Sequence, residues 1–362
     1  MGKKKICLIA QFPPPIHGLS EAAETIRSSR LREKYDLRIV DLSRHKDIFN
    51  SIRSVAQSDA DLFYLTISQS AAGNIRDLLI LSTLELRHRK TVIHLHGGYY
   101  RTLVDQQMNS IQRWLNYKVV SRLEGAIVLS ESLMPIFRGM LPERRISVIG
   151  NCVKDEYVLS ENDWLEKKGM LKTKGIRHVL FLSNMMRAKG YRDVLKLACI
   201  ESERRKRGED PVFHYDFAGA FFEKEEEDYF RSFIKNNDLQ NCVSYHGMVE
   251  GDRKRALLKK CKIFILLTRY PKEGQPISIL EAMANGMAVV ATDHAGIPDV
   301  IQDGNNGILV RKGETDLKRV DTRMQELQLE RIGERNRRIA VMKYSEHRYI
   351  DSLDRLFEGI MQ

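Results

Sequence analysis

Two short apolar runs, Ile263–Leu267 and Met287–Ala291, bracket the stretch YPKEGQPISILEAMANG, Tyr270 to Gly286. Runs of this kind suit strands covered on both faces, as in a parallel sheet. Between them Ile277–Asn285 predicts a short helix, with Pro276 just before it and Gly286 placed to end it. A strand–helix–strand unit of this kind commits the chain to the α/β class. The helix is apolar nearly all round, and its polar residues Ser278, Glu281 and Asn285 fall at spacings of three and four, on one narrow stripe. A buried helix therefore aims one carboxylate, Glu281, at something specific. A second carboxylate, Glu273, sits in the loop ahead of it. That loop leaves the carboxyl end of a parallel strand, where open α/β sheets bind ligands, and the helix N-terminus favours anions.

The same alternation runs through the chain. Apolar runs stand at Lys4–Gln11, Leu37–Leu42, Leu62–Ile67, Thr91–Leu95, Ala126–Leu129 and Ile146–Ile149, separated by helical patterns such as Asn74–Arg87 and Val104–Leu123. Further runs follow at His178–Ser183, His214–Phe217 and Val243–His246. This spacing predicts parallel, doubly wound sheets, and 362 residues are enough for two domains with their own cores. Lys154–Gly175 is polar, charged and poorly periodic, and reads as the linker into the second domain. Glu223–Lys235 and Asp252–Lys262 read as charged helices with solvated faces.

Composition narrows the function. No G-x-G-x-x-G follows the first strand, which removes the main support for a dinucleotide oxidoreductase. The five cysteines are scattered, without metal-ligand spacing, as expected of reduced thiols in a cytoplasm. No apolar run is long enough to span a bilayer, and Lys4–Gln11 is too short for a signal peptide. The net charge of +11 is uneven: residues 1–150 hold 22 Lys and Arg against 14 Asp and Glu, a balance of +8. No nucleic-acid recognition motif accompanies it. An anionic membrane surface, a phosphate-bearing acceptor, or a merely solvated basic face remain as readings of that charge.

Three more segments carry candidate chemistry. His94-Leu-His96-Gly-Gly98 ends the fourth run; His94 reads as a core histidine, while His96 stands at the strand tip beside backbone opened by glycine. Asn184-Met-Met-Arg187-Ala-Lys189-Gly190 is a basic loop between a strand and a helix, the make-up of a phosphate cradle. Near the N-terminus, Phe12-Pro-Pro-Pro-Ile-His17-Gly18 leads into a helix beginning near Leu19.

These residues meet a family. Glu273-x7-Glu281 followed by Ala282-Met-Ala-x-Gly286 resembles the signature of retaining nucleotide-sugar glycosyltransferases of family 4, the group 1 glycosyltransferases. Gly150-Asn-Cys-Val153, His246-Gly247, Ala295-Gly-Ile-Pro298-Asp299 and Asp303-Gly-Asn-Asn-Gly307-Ile-Leu-Val310 resemble further elements of that family. Asn184 stands where the family usually has an arginine, and His17 where a second glycine often stands.

The resemblance implies a GT-B fold, two Rossmann-like domains facing a cleft. Residues 1–152 would form an acceptor-side domain and 153–344 a nucleotide-sugar-binding domain, with a helix at 345–362 crossing back to the first. It implies His96 and Glu273 at the sugar as catalytic residues. Gly18, Asn184, Arg187, Lys189, Gly274, Pro276, Ile277 and Glu281 would bind the donor, Glu281 through the ribose hydroxyls. No cofactor or metal is implied, and no Asp-x-Asp element is expected to hold one. The expected partners are a UDP- or GDP-sugar, a glycan or lipid-linked acceptor, and an anionic membrane surface, with the chain cytoplasmic and peripheral at the inner face of the membrane, in cell-surface polysaccharide synthesis. Nucleic acid is not among them. A GT-B sugar-nucleotide epimerase and an inactive nucleotide-sugar-binding subunit are the alternative readings.

Overall fold

The structure is a computed structural model and describes residues 2–14, 18–43 and 48–362. It divides into two compact units: Met1–Cys152 with Lys272–Gln275 and Glu346–Gln362, and Val153–Pro271 with Pro276–Ser345.

Unit 1 begins β1 (Lys5–Ala10), α1 (Gly18–Ser28), α2 (Leu31–Lys34), β2 (Asp36–Asp41), α3 (Ile48–Gln57), β3 (Leu62–Thr66) and α4 (Ala71–Leu86). It continues β4 (Thr91–Leu95), α5 (Tyr100–Thr102), α6 (Ser110–Val120), β5 (Gly125–Val128) and β6 (Ile146–Val148). The six strands pair in parallel in the order β2-β1-β3-β4-β5-β6. Strands β3, β4 and β5 are buried along their whole length, which is why they read as continuous apolar runs. The helical pattern expected over Val104–Leu123 is broken. Leu103–Gln107 forms a wide π turn, and Asn109 then starts α6 by accepting a hydrogen bond from the Gln112 backbone N–H at 2.8 Å.

Unit 2 carries α7 (Glu161–Lys172), β7 (Arg177–Leu182), α8 (Tyr191–Lys206), β8 (Phe213–Ala218), α9 (Lys224–Asn236), β9 (Val243–Tyr245) and α10 (Gly251–Lys260). Then come β10 (Ile263–Leu266), α11 (Ile277–Ala284), β11 (Ala288–Thr292), β12 (Gly307–Val310), α12 (Leu317–Gln325) and α13 (Leu329–Lys343). Its parallel sheet runs β12-β11-β10-β7-β8-β9, so the strand order reverses between β7 and β10. This is the Rossmann order, and its switch point is where such sheets bind ligands. The last helix, α14 (Glu346–Met361), returns to unit 1, where Tyr349, Leu353 and Phe357 pack in the core on the β1–β3 side.

The segment expected as a linker is α7 in its middle. Ser160 caps it by accepting from the Asp163 N–H, and Trp164 packs so closely on Gly286 that a Cβ there would lie 2.2 Å from the indole. Gly286 also has φ +68°, a conformation that favours glycine. Lys167 of α7 is buried beneath α10, its ammonium donating to the Leu258 carbonyl. Burial pulls its pKa down to about 7. The unfolded chain, with lysine near 10.4, binds the extra proton between those values, so this group's contribution to stability grows as pH rises from 7 to 10.4 and is lost below. Lys167→Met is expected to raise stability by about 1–3 kcal/mol at pH 7 and by progressively less towards pH 10. Urea unfolding of both proteins at pH 7 and pH 10 checks this; an equal gain at both values would count against it.

Candidate functional site

At the switch point of unit 2, the chain after β7 forms the loop Ser183–Gly190, whose last turn is Arg187–Lys189. Gly190 has φ +85°, and a Cβ on it would fall 2.1 Å from the Leu267 carbonyl oxygen, so glycine lets this loop lie against the end of β10. The Arg269 N–H donates to the Ala188 carbonyl at 2.7 Å across the same seam. Lys189 is half-buried with its ammonium 4.7 Å from the Tyr270 ring centroid, a cation–π contact that aims the side chain. Arg187 is exposed and Asn184 half-buried. Arg269, which sequence reasoning did not single out, adds a further cation, paired with Asp193 of α8 at 2.7 Å. Cations thus gather where β7 and β10 end and α8 begins, an arrangement suited to a diphosphate.

The helix α11 leaves the same end of β10. Pro276 is its N-cap and Ile277 its first residue. Glu281 is the fifth of eight residues, so it does not sit at the helix N-terminus and draws little from the end of the dipole. Its partner is Lys254 of α10, whose ammonium lies 2.7 Å from Oε1 with both side chains buried. The expectation that Asp252–Lys262 presents only solvated faces is therefore corrected. Lys254 sits on the apolar stripe with Leu257, Leu258 and Cys261, and its ammonium also lies 3.9 Å from the Tyr157 ring centroid. Asn285, on the same stripe as Glu281, fixes this neighbourhood: its side chain donates to the Tyr157 carbonyl at 2.7 Å and accepts from the Leu159 N–H at 2.9 Å. Asn285 is thus structural, while Glu281 is a carboxylate held in place by a buried cation.

The other glutamate lies in unit 1. Lys272–Gln275 packs at the tip of β4, with the Gly98 N–H donating to the Glu273 carbonyl at 2.6 Å. Two glycines allow the approach: a Cβ on Gly97 would come 2.4 Å from the Lys272 carbonyl oxygen, and one on Gly274 would come 2.7 Å from the His96 carbonyl oxygen. Asn151 closes the far side with two donations, from its side-chain amide to the Gln275 carbonyl at 2.8 Å and from its backbone N–H to Gln275 Oε1 at 2.7 Å. Glu273 is buried here, and His96 is half-buried. Behind it His94 is fully buried, hydrogen-bonded through Nδ1 to the Tyr64 hydroxyl at 2.7 Å, with its ring 3.9 Å from that of His96. Burial, aided by His96, holds the His94 pKa well below its ordinary value. Gln69, missed in the sequence, braces this turn by accepting from the Tyr99 N–H at 2.7 Å. Gly18 is the exposed first residue of α1, and His17 lies outside the described residues.

Unit 1 therefore brings His96, Glu273 and Gly274 together. Unit 2 gathers Asn184, Arg187 and Lys189 in one loop, and Pro276, Ile277 and Glu281 on one helix.

For a metal, the described residues offer one His/Asp group, His178, His214 and Asp216, whose ligand atoms all lie within 4.8 Å of one another. Asp216 is fully buried and accepts from His178 at 2.7 Å and His246 at 2.8 Å, with the Lys260 ammonium 3.3 Å away. Burial alone would raise its pKa, but these donors and the lysine charge outweigh it and hold the carboxyl well below the usual range. The Lys260 ammonium thus supplies positive charge to this buried carboxylate. The expectation that the chain has no Asp-x-Asp element is corrected: Asp59-Ala60-Asp61 is one, though it precedes β3 at the opposite end of the sheet and both carboxylates bond Lys5.

Residues 162–339 match the family Glycosyl transferases group 1. The amylovoran biosynthesis glycosyltransferase AmsK of Erwinia amylovora is 27% identical over 265 residues, which cover 71% of this chain and 58% of AmsK. The chain thus spans little more than half the length of that relative. The N-acetyl-alpha-D-glucosaminyl L-malate synthase of Bacillus anthracis is 23% identical over 287 residues, covering 75% of this chain and 68% of the synthase. Among solved structures, Anabaena HepE in complex with UDP aligns with a TM-score of 0.76 at 16% identity, covering 98% of this chain and all of HepE. That likeness is one of fold, the GT-B pairing of two Rossmann-like sheets.

Proposed function

We propose that this chain, whose residues 162–339 match the group 1 glycosyltransferase family, is a retaining glycosyltransferase that moves a sugar from a UDP- or GDP-sugar to a glycan or lipid-linked acceptor. The observation that carries the reading is the pair of elements leaving the unit 2 switch point: the cationic loop at Arg187 and Lys189, and α11 with Glu281 held by Lys254. Departure of a nucleoside diphosphate develops negative charge on its terminal phosphate. Lys189, Arg187 and the backbone N–H groups that open α8 stabilise that charge where it forms. Glu281 accepts the ribose hydroxyls, while Glu273 and His96 attend the sugar. The cations of the loop take the part a divalent ion plays elsewhere, so the reaction runs without one. HepE binds UDP, which supports a uridine donor, and AmsK belongs to amylovoran biosynthesis, which supports a polysaccharide product. The basic surplus of residues 1–150 favours work at an anionic membrane, and no helix of the described residues is long and apolar enough to cross one.

Incubation with a panel of nucleotide sugars and acceptors in EDTA tests the reading. Free nucleoside diphosphate together with a new glycoside of retained anomeric configuration is the expected result. An isomerised donor, binding without turnover, or activity that returns only with magnesium or manganese would each overturn its corresponding part.

A further inference from the structure

Six large apolar side chains on the outer surface of unit 1 lie on three helices of a single layer. They are Phe49 on α3, Ile75, Leu79 and Leu86 on α4, and Ile111 and Trp114 on α6. The exposures are high: 84% for Phe49, 81% for Leu86, 79% for Ile111 and 61% for Trp114. The three helices share one core, which holds Val55, Leu81 and Val119 on its inner side. Buried side-chain bonds stitch α4 to α6: Asn74 Nδ2 donates to Asn116 at 3.1 Å, and Gln112 donates to Asn74 at 2.9 Å. Ile75 and Ile111 each neighbour one of those stitches in sequence, so the apolar side chains flank the seam on the solvent side.

On α4 the pattern departs from an ordinary surface helix. Leu78, Leu81 and Leu84 face the core, as expected, but Ile75, Leu79 and Leu86 recur at helical spacing on the opposite face. A helix apolar on both faces needs a second apolar environment. Exposed apolar residues are common singly; a stripe across adjacent helices marks an interaction surface.

The charges around this stripe say what it meets. Among the described residues of α3 and α6 no acidic side chain is present; their charged groups are Arg53, Lys118 and Arg113, the last turned back onto the Val104, Asp105 and Met108 carbonyls. On α4, Asp77 is buried against Arg76 and Glu85 is paired with Arg122, which leaves Arg87 at the helix end exposed. Lys118 places its ammonium 5.0 Å from the Trp114 ring centroid, so one side of α6 offers an indole and a cation side by side. Exposed apolar side chains with basic groups on the same helices match the boundary between acyl chains and anionic headgroups. A second copy of this chain would set the same basic groups against each other.

We propose that the outer face of α3, α4 and α6 is a docking surface for an anionic lipid bilayer, entered by Trp114, Ile111, Leu79 and Leu86. The proposal rests on the membrane partner named above and gives it a location; it does not depend on the sugar chemistry.

The full chain carries two tryptophans, Trp114 and Trp164, and Trp164 packs within unit 2 against Gly286. With vesicles of mixed phosphatidylglycerol and phosphatidylcholine, the emission is expected to shift to the blue and be quenched by brominated acyl chains, and the Trp114→Tyr protein is expected to lose that response. Vesicles of phosphatidylcholine alone should give none. Cosedimentation should fall at least tenfold for Leu79→Glu with Ile111→Glu, exposed positions at which circular dichroism is expected to stay unchanged. Release of nucleoside diphosphate from a soluble donor and acceptor should be equal in the wild type and this variant, which keeps failure of the membrane face distinguishable from failure of the transferase reading. Vesicle binding that survives the double substitution overturns the proposal. So does binding without quenching, or a dimer in light scattering that the same substitutions dissociate.

Discussion

Glu273→Gln is expected to lower turnover on the order of a hundredfold while leaving affinity for the nucleoside diphosphate unchanged, a loss of roughly 2.7 kcal/mol of transition-state stabilisation. The substitution keeps shape and removes charge. It spares the contact that positions the loop, since the Gly98 N–H meets the Glu273 main chain and not its side chain. The cations and the carboxylate proposed to hold the nucleotide, Arg187, Lys189 and Glu281, belong to the other unit. An effect confined to the chemical step therefore assigns Glu273 to the sugar, where an oxocarbenium-like centre gains from a nearby negative charge. Initial rates with the full donor, beside calorimetry with the diphosphate alone, separate the two quantities. Loss of diphosphate affinity in Glu273→Gln, with turnover at saturation unchanged, would show the roles to be reversed.

The sheets were legible because their inner strands, such as β3, β4, β10 and β11, are buried on both sides. Eleven of the twelve strands coincide with apolar runs, from Lys5–Ala10 to Ala288–Thr292. The exception, β12, is four residues opened by Gly307, short enough to pass for part of a glycine-rich turn. Helices whose inner faces carry long polar side chains were harder. Lys167 and Lys254 are buried by their stems with the ammonium delivered to a carbonyl or a carboxylate, so both read in sequence as solvated charge. For Lys254 a signal did exist: Leu257, Leu258 and Cys261 follow it at three, four and seven residues, which puts it on the buried stripe. No comparable local signal reports that Lys272–Gln275 lodges against Gly97 and Gly98. That contact joins main chains far apart in sequence, and only the glycines hint that something comes close.

The buried pair makes Glu281→Ala a test of two things at once. Removing the carboxylate takes away the group that neutralises Lys254, and breaking a buried pair from one side costs about 3–5 kcal/mol of stability. If Glu281 also accepts the ribose hydroxyls, nucleoside diphosphate affinity falls by roughly 1.5–3 kcal/mol, the worth of hydrogen bonds to a charged group. Either loss could be mistaken for the other, because a destabilised α11 would bind nucleotide poorly for structural reasons. Lys254→Met combined with Glu281→Leu separates them. Both charges leave together, the volumes are nearly kept, and such replacements are often neutral in stability. The double variant is therefore expected to unfold in urea close to the wild type while binding the diphosphate as weakly as Glu281→Ala. Recovery of affinity along with stability would mean that Glu281 serves the fold and that the ribose is held by another group. An unchanged stability in Glu281→Ala would mean that the ion pair with Lys254 does not hold α11 to α10.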